Sequence, residues 1–229
     1  MEKESEVSQP STVNLDSSLE NFANVRKQNI NNPFISYLNI NSLRGNKVHL
    51  LRDMLINTGF DVICIDETKL TCDFPDSQFY IEGYQHPPYR RDRNDRLCTR
   101  GGGKIVYVKS GMITKRLKSF ETRTAETICL ELNMGGRKWF IVYAYRPESI
   151  NRELFFDEIT SCLDKATKKY DFIILIGDLN VDMDTLKTDI KGLLHDICDS
   201  FDLTNLINTK TCTKRKYDDG SSLDVILRR

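Results

Sequence analysis

Oxygen-bearing side chains recur in this sequence at the ends of short apolar runs. Ile173-Ile174-Leu175-Ile176 is followed at once by Gly177-Asp178-Leu179-Asn180. The apolar run is too short for a helix and reads as a strand buried on both faces. Alternation along a strand that continues to its end sends Asp178 and Asn180 off on the same side. The run from Phe34 to Ile40 ends the same way, with Asn39 and Asn41 two apart, and Val62-Ile63-Cys64-Ile65 runs into Asp66-Glu67-Thr68. A further strand over 221–229 begins near Asp224. Carboxylates and amide carbonyls with no His or Cys beside them suit a hard cation, Mg²⁺ or in its place Mn²⁺, completed by water and a substrate phosphate. Such an ion polarises a phosphoryl oxygen and lowers the pKa of an attacking water.

These strand ends need a fold to hold them. After Gly45, Val48, Leu51 and Leu55 with Leu50 and Met54 form a helical stripe that Gly59 closes. Strand, helix, strand, with both strands buried, predicts a βαβ-like unit over 34–68. Strand-like runs at 127–132 and 138–143, joined through Met134-Gly135-Gly136, predict a hairpin. Helices are expected over 152–168 and from about Ile190 to Phe201. Residues 1 to about 31 are rich in Ser, Asn and Glu and poor in large apolar groups, so a disordered tail is expected before a domain over 32–229.

Composition bounds what the domain does. With 39% hydrophobic and 29% charged residues, the chain can bury a core. Net charge is zero, so a polyanion must be met by a local patch and not by an overall field. Arg90, Arg91, Arg93, Arg96, Arg100 and Lys104 crowd a stretch without hydrophobic period, and are the candidate clamp on substrate phosphates. Gly101-Gly102-Gly103 lacks a following Gly-Lys-Ser/Thr, so its task is to turn the backbone tightly into the next strand. Seven cysteines, an odd number with no C-x-x-C pair, argue against a disulfide framework or a zinc site; Cys64 and Cys129 read as small core residues. No signal peptide or membrane span is apparent, and an intracellular protein, nuclear or cytoplasmic, is expected.

Six motifs occur in an order that resembles the endonuclease/exonuclease/phosphatase superfamily. They are Asn39-Ile40-Asn41-Ser42-Leu43-Arg44, Asp66-Glu67-Thr68-Lys69, Arg100-Gly101-Gly102-Gly103, Tyr143-Ala144-Tyr145-Arg146-Pro147, Gly177-Asp178-Leu179-Asn180 and Ser222-Leu223-Asp224-Val225-Ile226-Leu227. The variant is similar to the apurinic-type endonuclease domain of non-LTR retrotransposons. The resemblance implies an α/β fold, a four-layer, deoxyribonuclease-like sandwich of two mixed β-sheets flanked by helices. It implies a metal-dependent DNA endonuclease in which Glu67 binds Mg²⁺ with help from Asn41. Asp178 then positions or deprotonates water, Asn39 and Asn180 orient groups around the phosphate, and Tyr145 hydrogen-bonds the scissile phosphate. Asp224 matches an aspartate that accepts from a catalytic histidine, and a reverse-transcriptase domain is expected in a full-length relative.

That histidine belongs to a Ser-Asp-His stretch downstream of the Leu-Asp-Val-Ile-Leu strand, and the sequence stops first. None of His49, His86 and His195 is a positional substitute. The expectation is therefore a domain incomplete at its C-terminus, lacking its final strand or strands and impaired in cleavage. The alternatives are a non-catalytic remnant that binds nucleic acid through the arginine stretch, or a phosphate-ester hydrolase of the same superfamily.

Overall fold

A computed structural model describes residues 24–93, 101–122, 124–181, 188–207, 210–211 and 224–229. The chain divides into two units, 1–30 and 31–229. Of the tail expected over 1–31, residues 1–23 lie outside the described residues and 24–28 form a short helical turn.

In the second unit, β1 (Ile35–Asn39) runs parallel to β2 (Val62–Asp66), with α1 (Lys47–Thr58) between them in sequence. This is the expected βαβ arrangement. Gly59 ends the helix in the left-handed conformation, its N–H donating to Leu55 O over 3.0 Å. Beyond β2 come β3 (Tyr89–Arg91) and β4 (Lys104–Val108), which complete a four-stranded sheet in the order β1-β2-β4-β3. A six-stranded sheet takes β5 (Ile113–Arg116), β6 (Glu126–Met134), β7 (Arg137–Tyr145), β8 (Phe172–Asp178), β9 (Thr204–Asn205) and β10 (Asp224–Arg228), in the order β5-β6-β7-β8-β10-β9. The β6–β7 hairpin turns at Gly135-Gly136 as expected, each strand beginning one residue before and ending two residues after the expected run. Both sheets mix parallel and antiparallel neighbours.

The apolar runs are continuous because each strand feeds two cores. Val62 and Cys64 of β2, Ile141 and Tyr143 of β7, and Ile174 and Ile176 of β8 point between the sheets. Their alternates point outward: Ile63 and Ile65 pack with Leu51 and Leu55 of α1. On the other side Phe140, Val142, Ile173 and Leu175 pack with α2 (Arg152–Thr167), including Phe155, Ile159 and Leu163, and with Leu194 and Ile197 of α3 (Thr188–Phe201). The result is the four-layer helix–sheet–sheet–helix sandwich implied by the resemblance. Cys64 and Cys129 are fully buried in it. Among the described residues no helix is long and apolar enough to cross a membrane.

Two differences concern the strands. β3 lies inside the stretch expected to lack regular structure; it is only three residues long and pairs with β4 through Tyr89–Val106 and Arg91–Lys104. β8 stops at Asp178, so Asn180 leaves from a turn and not from the strand.

Gly177 shows how closely β7 and β8 approach. Its φ is 139°, and a Cβ built there would lie 1.9 Å from the carbonyl oxygen of Ala144, a backbone atom that cannot swing aside. Gly177→Ala is expected to destabilise the protein by at least about 3 kcal/mol, through strain and sheet distortion. An unchanged midpoint in urea unfolding would contradict this.

Candidate functional site

Three strands end in residues whose backbones most side chains avoid. Asn41, Glu67 and Asn180 have φ of 46°, 52° and 49°, and Lys69 follows at 55°. The left-handed conformation costs an L residue roughly 1–2 kcal/mol, less for Asn. It persists here because neighbouring segments hold it. Beyond the ends of β1 and β2, Ser42 N–H donates to Glu67 O (2.6 Å) and Leu43 N–H to Thr68 O (2.8 Å). On the other side Thr68 N–H donates to Gly103 O (3.0 Å) and Lys69 N–H to Gly102 O (2.9 Å). The glycines serve this contact: a Cβ on Gly103 would lie 2.6 Å from Thr68 Oγ1. The same local device shapes two of the ends. Asn39 Oδ1 accepts from Asn41 N–H (3.1 Å), and Asp178 Oδ1 accepts from Asn180 N–H (2.8 Å).

These ends meet at one rim. Glu67, Lys69, Gly101, Tyr145, Pro147, Glu148, Ser149 and Asn180 line a cleft of about 420 Å³. Gly101 lets Tyr145 and Glu67 face the same space: a Cβ there would lie 3.3 Å from Tyr145 Oη and 3.8 Å from Glu67 Oε1. Asp178 stands behind the cleft, 7% exposed, with Asp224 of β10 as its register partner. Asp224 N–H donates to Thr211 Oγ1 (3.2 Å). Asn39 and Asn41 are exposed and do not line the cleft; Asn41 is tied to it by Lys69, whose ammonium donates to Asn41 Oδ1, and Asn39 only through its bond with the Asn41 N–H.

Arg146 was quoted in a motif but given no role; it clamps the Asp178–Asn180 turn. It is 2% exposed and donates from Nε to Leu179 O (2.7 Å), from Nη2 to Asn180 O (2.6 Å) and from Nη1 to Ile150 O (2.9 Å). Asn180 answers with Nδ2 donating to Arg146 O (2.7 Å). Its amide is thereby oriented. A buried guanidinium satisfied by carbonyls fixes the turn geometrically, and the charges of Asp178 and Glu148 are felt at it.

A second feature that sequence reasoning missed lies directly beneath. Lys104, counted above with the solvated basic stretch, is fully buried in β4; its Nζ donates to Asp66 Oδ1 (2.6 Å) and sits 3.5 Å from the centre of the Tyr143 ring. Lysine preceded by three glycines reads as a loop cation, and only the β2–β4 pairing puts it next to Asp66.

The carboxyls behind the cleft favour protons. Burial raises the Asp178 pKa to about 7, and the Asp224 and Asp66 charges push the same way, against the Asn180 N–H and Lys104. Burial likewise raises Asp224. The Tyr145 hydroxyl is raised by burial and then by Glu67 and Asp178, which keeps it a hydrogen-bond donor.

The oxygen donors at the rim decide which metal they could hold. Glu67 offers a carboxylate and Asn41 an amide oxygen, with Lys69 Nζ 4.0 Å from Glu67 Oε2. Among the described residues no group of three or more His, Cys, Asp or Glu side chains is arranged to hold an ion. One carboxylate and one amide oxygen fit Mg²⁺ that keeps water and substrate phosphate as its remaining ligands, and do not fit a closed zinc cage.

The arginines expected to clamp phosphate are placed otherwise. Arg90 bonds Asp76 (2.6 Å), Asp92 (2.8 Å) and the Phe74 and Thr71 carbonyls. Arg91 donates to the carbonyls of Thr122, Ala125 and Thr127. Both guanidiniums tie the four-stranded sheet's edge to neighbouring loops, and neither lines the cleft. Arg93 is half-buried and its backbone N–H donates to Leu70 O (2.9 Å); Arg100 lies outside the described residues.

No known protein-family model matches the sequence, and no curated protein does. Solved structures match the fold. The endonuclease domain of TRAS1, a telomere-specific non-LTR retrotransposon, superposes with a TM-score of 0.61 at 14% identity, over 83% of this chain and 82% of that one. A 3′-5′ exonuclease, NExo from Neisseria meningitidis, gives 0.60 at 16% identity, over 85% of this chain and 86% of that one. The likeness to both is one of fold: two mixed β-sheets flanked by helices.

Asp178 carries a linkage consequence. Its folded pKa of about 7 lies above the ordinary 3.8, so the folded state holds a proton that the unfolded state releases between those values. Stability contributed by this group therefore falls as pH rises from about 4 to 7. Asp178→Asn, which keeps an acceptor for Asn180 N–H, is expected to stabilise the protein at pH 8, by about 4 kcal/mol at most (some three pKa units at 1.36 each). The gain should vanish near pH 4. Equal gains at both pH values in denaturant titrations would refute the buried-carboxylate account.

Proposed function

We propose that this domain is a Mg²⁺-dependent (or Mn²⁺-dependent) DNA phosphodiesterase of endonuclease type. The observation that carries the reading is the meeting of Glu67, Tyr145 and Asn180 on one cleft, with the nearly buried Asp178 behind them. The fold likeness to two nucleases supports it.

Each residue has a task suited to its surroundings. Glu67 and Asn41 would hold the cation, which when bound supplies charge neutralisation at the phosphoryl oxygens. Asp178, a carboxylate poised near neutrality, takes the proton as water attacks phosphorus. The bond from phosphorus to the 3′ oxygen breaks, leaving a 3′-hydroxyl and a 5′-phosphate. Tyr145, held in its protonated form, donates to a non-bridging oxygen. Asn180, fixed by Arg146, and Asn39 orient the phosphate and the water. Asp224 adds negative charge beside Asp178 and sustains its basicity. In a retrotransposon-type protein the 3′-hydroxyl would prime an associated reverse transcriptase.

None of the three histidines lines the cleft. His49 is on α1 beside Arg52, His86 is exposed beside Tyr80, and His195 is exposed on α3. Among the described residues no histidine is placed to donate to the developing phosphoryl charge, a contribution worth roughly a hundred- to thousandfold in rate where it is present. Binding through Arg90 and Arg91 has no support, since their guanidiniums are engaged within the protein.

Nicking of supercoiled plasmid tests the assignment. Slow Mg²⁺-dependent nicking is expected, with Glu67→Gln and Asp178→Asn each lowering it by about a hundredfold or more. Wild-type nicking by both variants, or nicking that persists in excess EDTA, would remove the proposal. Arg91→Ala is expected to lower the unfolding midpoint while leaving DNA affinity unchanged; a loss of affinity without a loss of stability would restore the arginine clamp.

A further inference from the structure

Lys69 stands where its charge matters most. Its ammonium donates to Asn41 Oδ1 and lies 4.0 Å from Glu67 Oε2, so the two oxygens assigned to the cation already share a positive charge. This is not a loosely draped surface lysine. Its backbone is left-handed, with φ 55°, and is held on both sides: N–H donates to Gly102 O (2.9 Å), and the carbonyl accepts from Arg44 Nη2 (3.0 Å). Side-chain exposure is 29% for Lys69 and 23% for Glu67, so both are partly shielded from water's screening. Glu67 and Lys69 together sum to zero charge, and Asn41 is neutral. At the donor pair itself, a divalent cation arriving alone finds the Glu67 charge already matched and meets a repelling ammonium. A phosphodiester changes the balance, because it brings a negative charge and an acceptor that the flexible lysine stem can reach across the cleft it lines.

We propose that Lys69 is the resident counter-ion of the Glu67–Asn41 donor pair, so that a divalent cation occupies the pair only together with a phosphodiester that draws the ammonium away. The inference rests on the metal-site reading above. It makes metal and substrate binding mutually dependent: DNA tightens metal binding by the same factor by which metal tightens DNA binding. Lys69 is a positioning residue in this sense, acting through Glu67 and Asn41.

Mn²⁺ binding, read from the electron paramagnetic resonance signal of the free ion, tests this without requiring turnover. Wild-type protein is expected to bind Mn²⁺ weakly alone and at least about tenfold more tightly in the presence of a short DNA duplex. Lys69→Met should bind Mn²⁺ about tenfold or more tightly than wild type without DNA, and DNA should then add little. Lys69→Arg, which keeps the charge, should behave as wild type and shows whether the Met variant acts through charge or through altered folding. Unchanged Mn²⁺ affinity in Lys69→Met, with wild type already binding tightly alone, would overturn the inference and leave the metal-site reading standing. No Mn²⁺ binding by any of the proteins, with or without DNA, would overturn both.

Discussion

Four residues of the candidate site, Asn41, Glu67, Lys69 and Asn180, have backbones that only glycine adopts without cost. The rest of the rim is arranged so that the chain cannot relax out of this conformation. Segment 40–43 hydrogen-bonds to 66–68, and 68–69 to 102–103, extending the ladder of the small sheet past the point where its strands formally stop. On the opposite sheet Arg146 holds the Leu179 and Asn180 carbonyls. The energy stored in each turn is of order 1–2 kcal/mol. The hydrogen bonds that oppose it are individually of similar size, so the rim needs all of them at once. Side chains leaving from such turns are aimed by the backbone instead of by packing, which suits groups that must stay in a cleft and remain accessible.

Beneath the rim lies a polar layer that a purely stabilising core would not contain. Lys104 and Asp66 form an ion pair with no solvent contact, and the hydroxyls of Tyr37 and Tyr143 and the second oxygen of Asp66 have no hydrogen-bond partner among the described residues. Burying such a pair costs several kcal/mol of solvation for each ion, which the mutual attraction only partly offsets. Burial drives Asp66 up and Lys104 down, and each partner's charge opposes the other's shift. The layer adjoins the site, since Lys104 also lies 5.5 Å from the Tyr145 ring centre and its charge is felt at Asp178. Its position suggests why the cost is tolerated: without the Lys104 charge, which acts against burial and the Asp224 and Asp66 charges, Asp178 would hold its proton still more firmly.

The sandwich was legible because its strands are doubly buried. Runs such as Val62–Ile65 and Ile173–Ile176 have no polar alternation, and the hairpin glycines and the Gly59 cap mark their boundaries. The candidate site was legible in part for a related reason: an oxygen-bearing residue directly after such a run is forced to a sheet edge, as at Glu67 and Asp178. What could not be read was anything settled by long-range pairing. Arg90, Arg91 and Lys104 look alike in sequence, yet two knit loops together and one is interred, according to which strand each faces. Asn180 reaches the cleft not by strand alternation but from an Asx turn in which its N–H donates to Oδ1 of Asp178, which stays behind the cleft. Arg146 carried no signal beyond its place in a motif, since a guanidinium that serves only carbonyls leaves no charged partner to find.

The chain's neutrality becomes intelligible at this rim. A cleft meant for a polyanion would ordinarily be lined with cations, but here Glu67 and Glu148 line it, with Asp178 and Asp224 behind. Left fully ionised and unneutralised, that set would repel phosphate. The structure reduces the charge in three ways without filling the cleft with arginine. Asp178 favours its proton near neutrality, Asp66 is paired with Lys104, and Glu67 is accompanied by Lys69. On the proposed function, two of these arrangements yield to what arrives at the cleft. A nearby cation would lower the Asp178 pKa, and a phosphate oxygen would compete for the Lys69 ammonium. On the proposed function, a site with this charge balance would be quiet in isolation and become proton- and metal-accepting as a phosphodiester arrives, which a permanently ionised cluster of the same residues could not do.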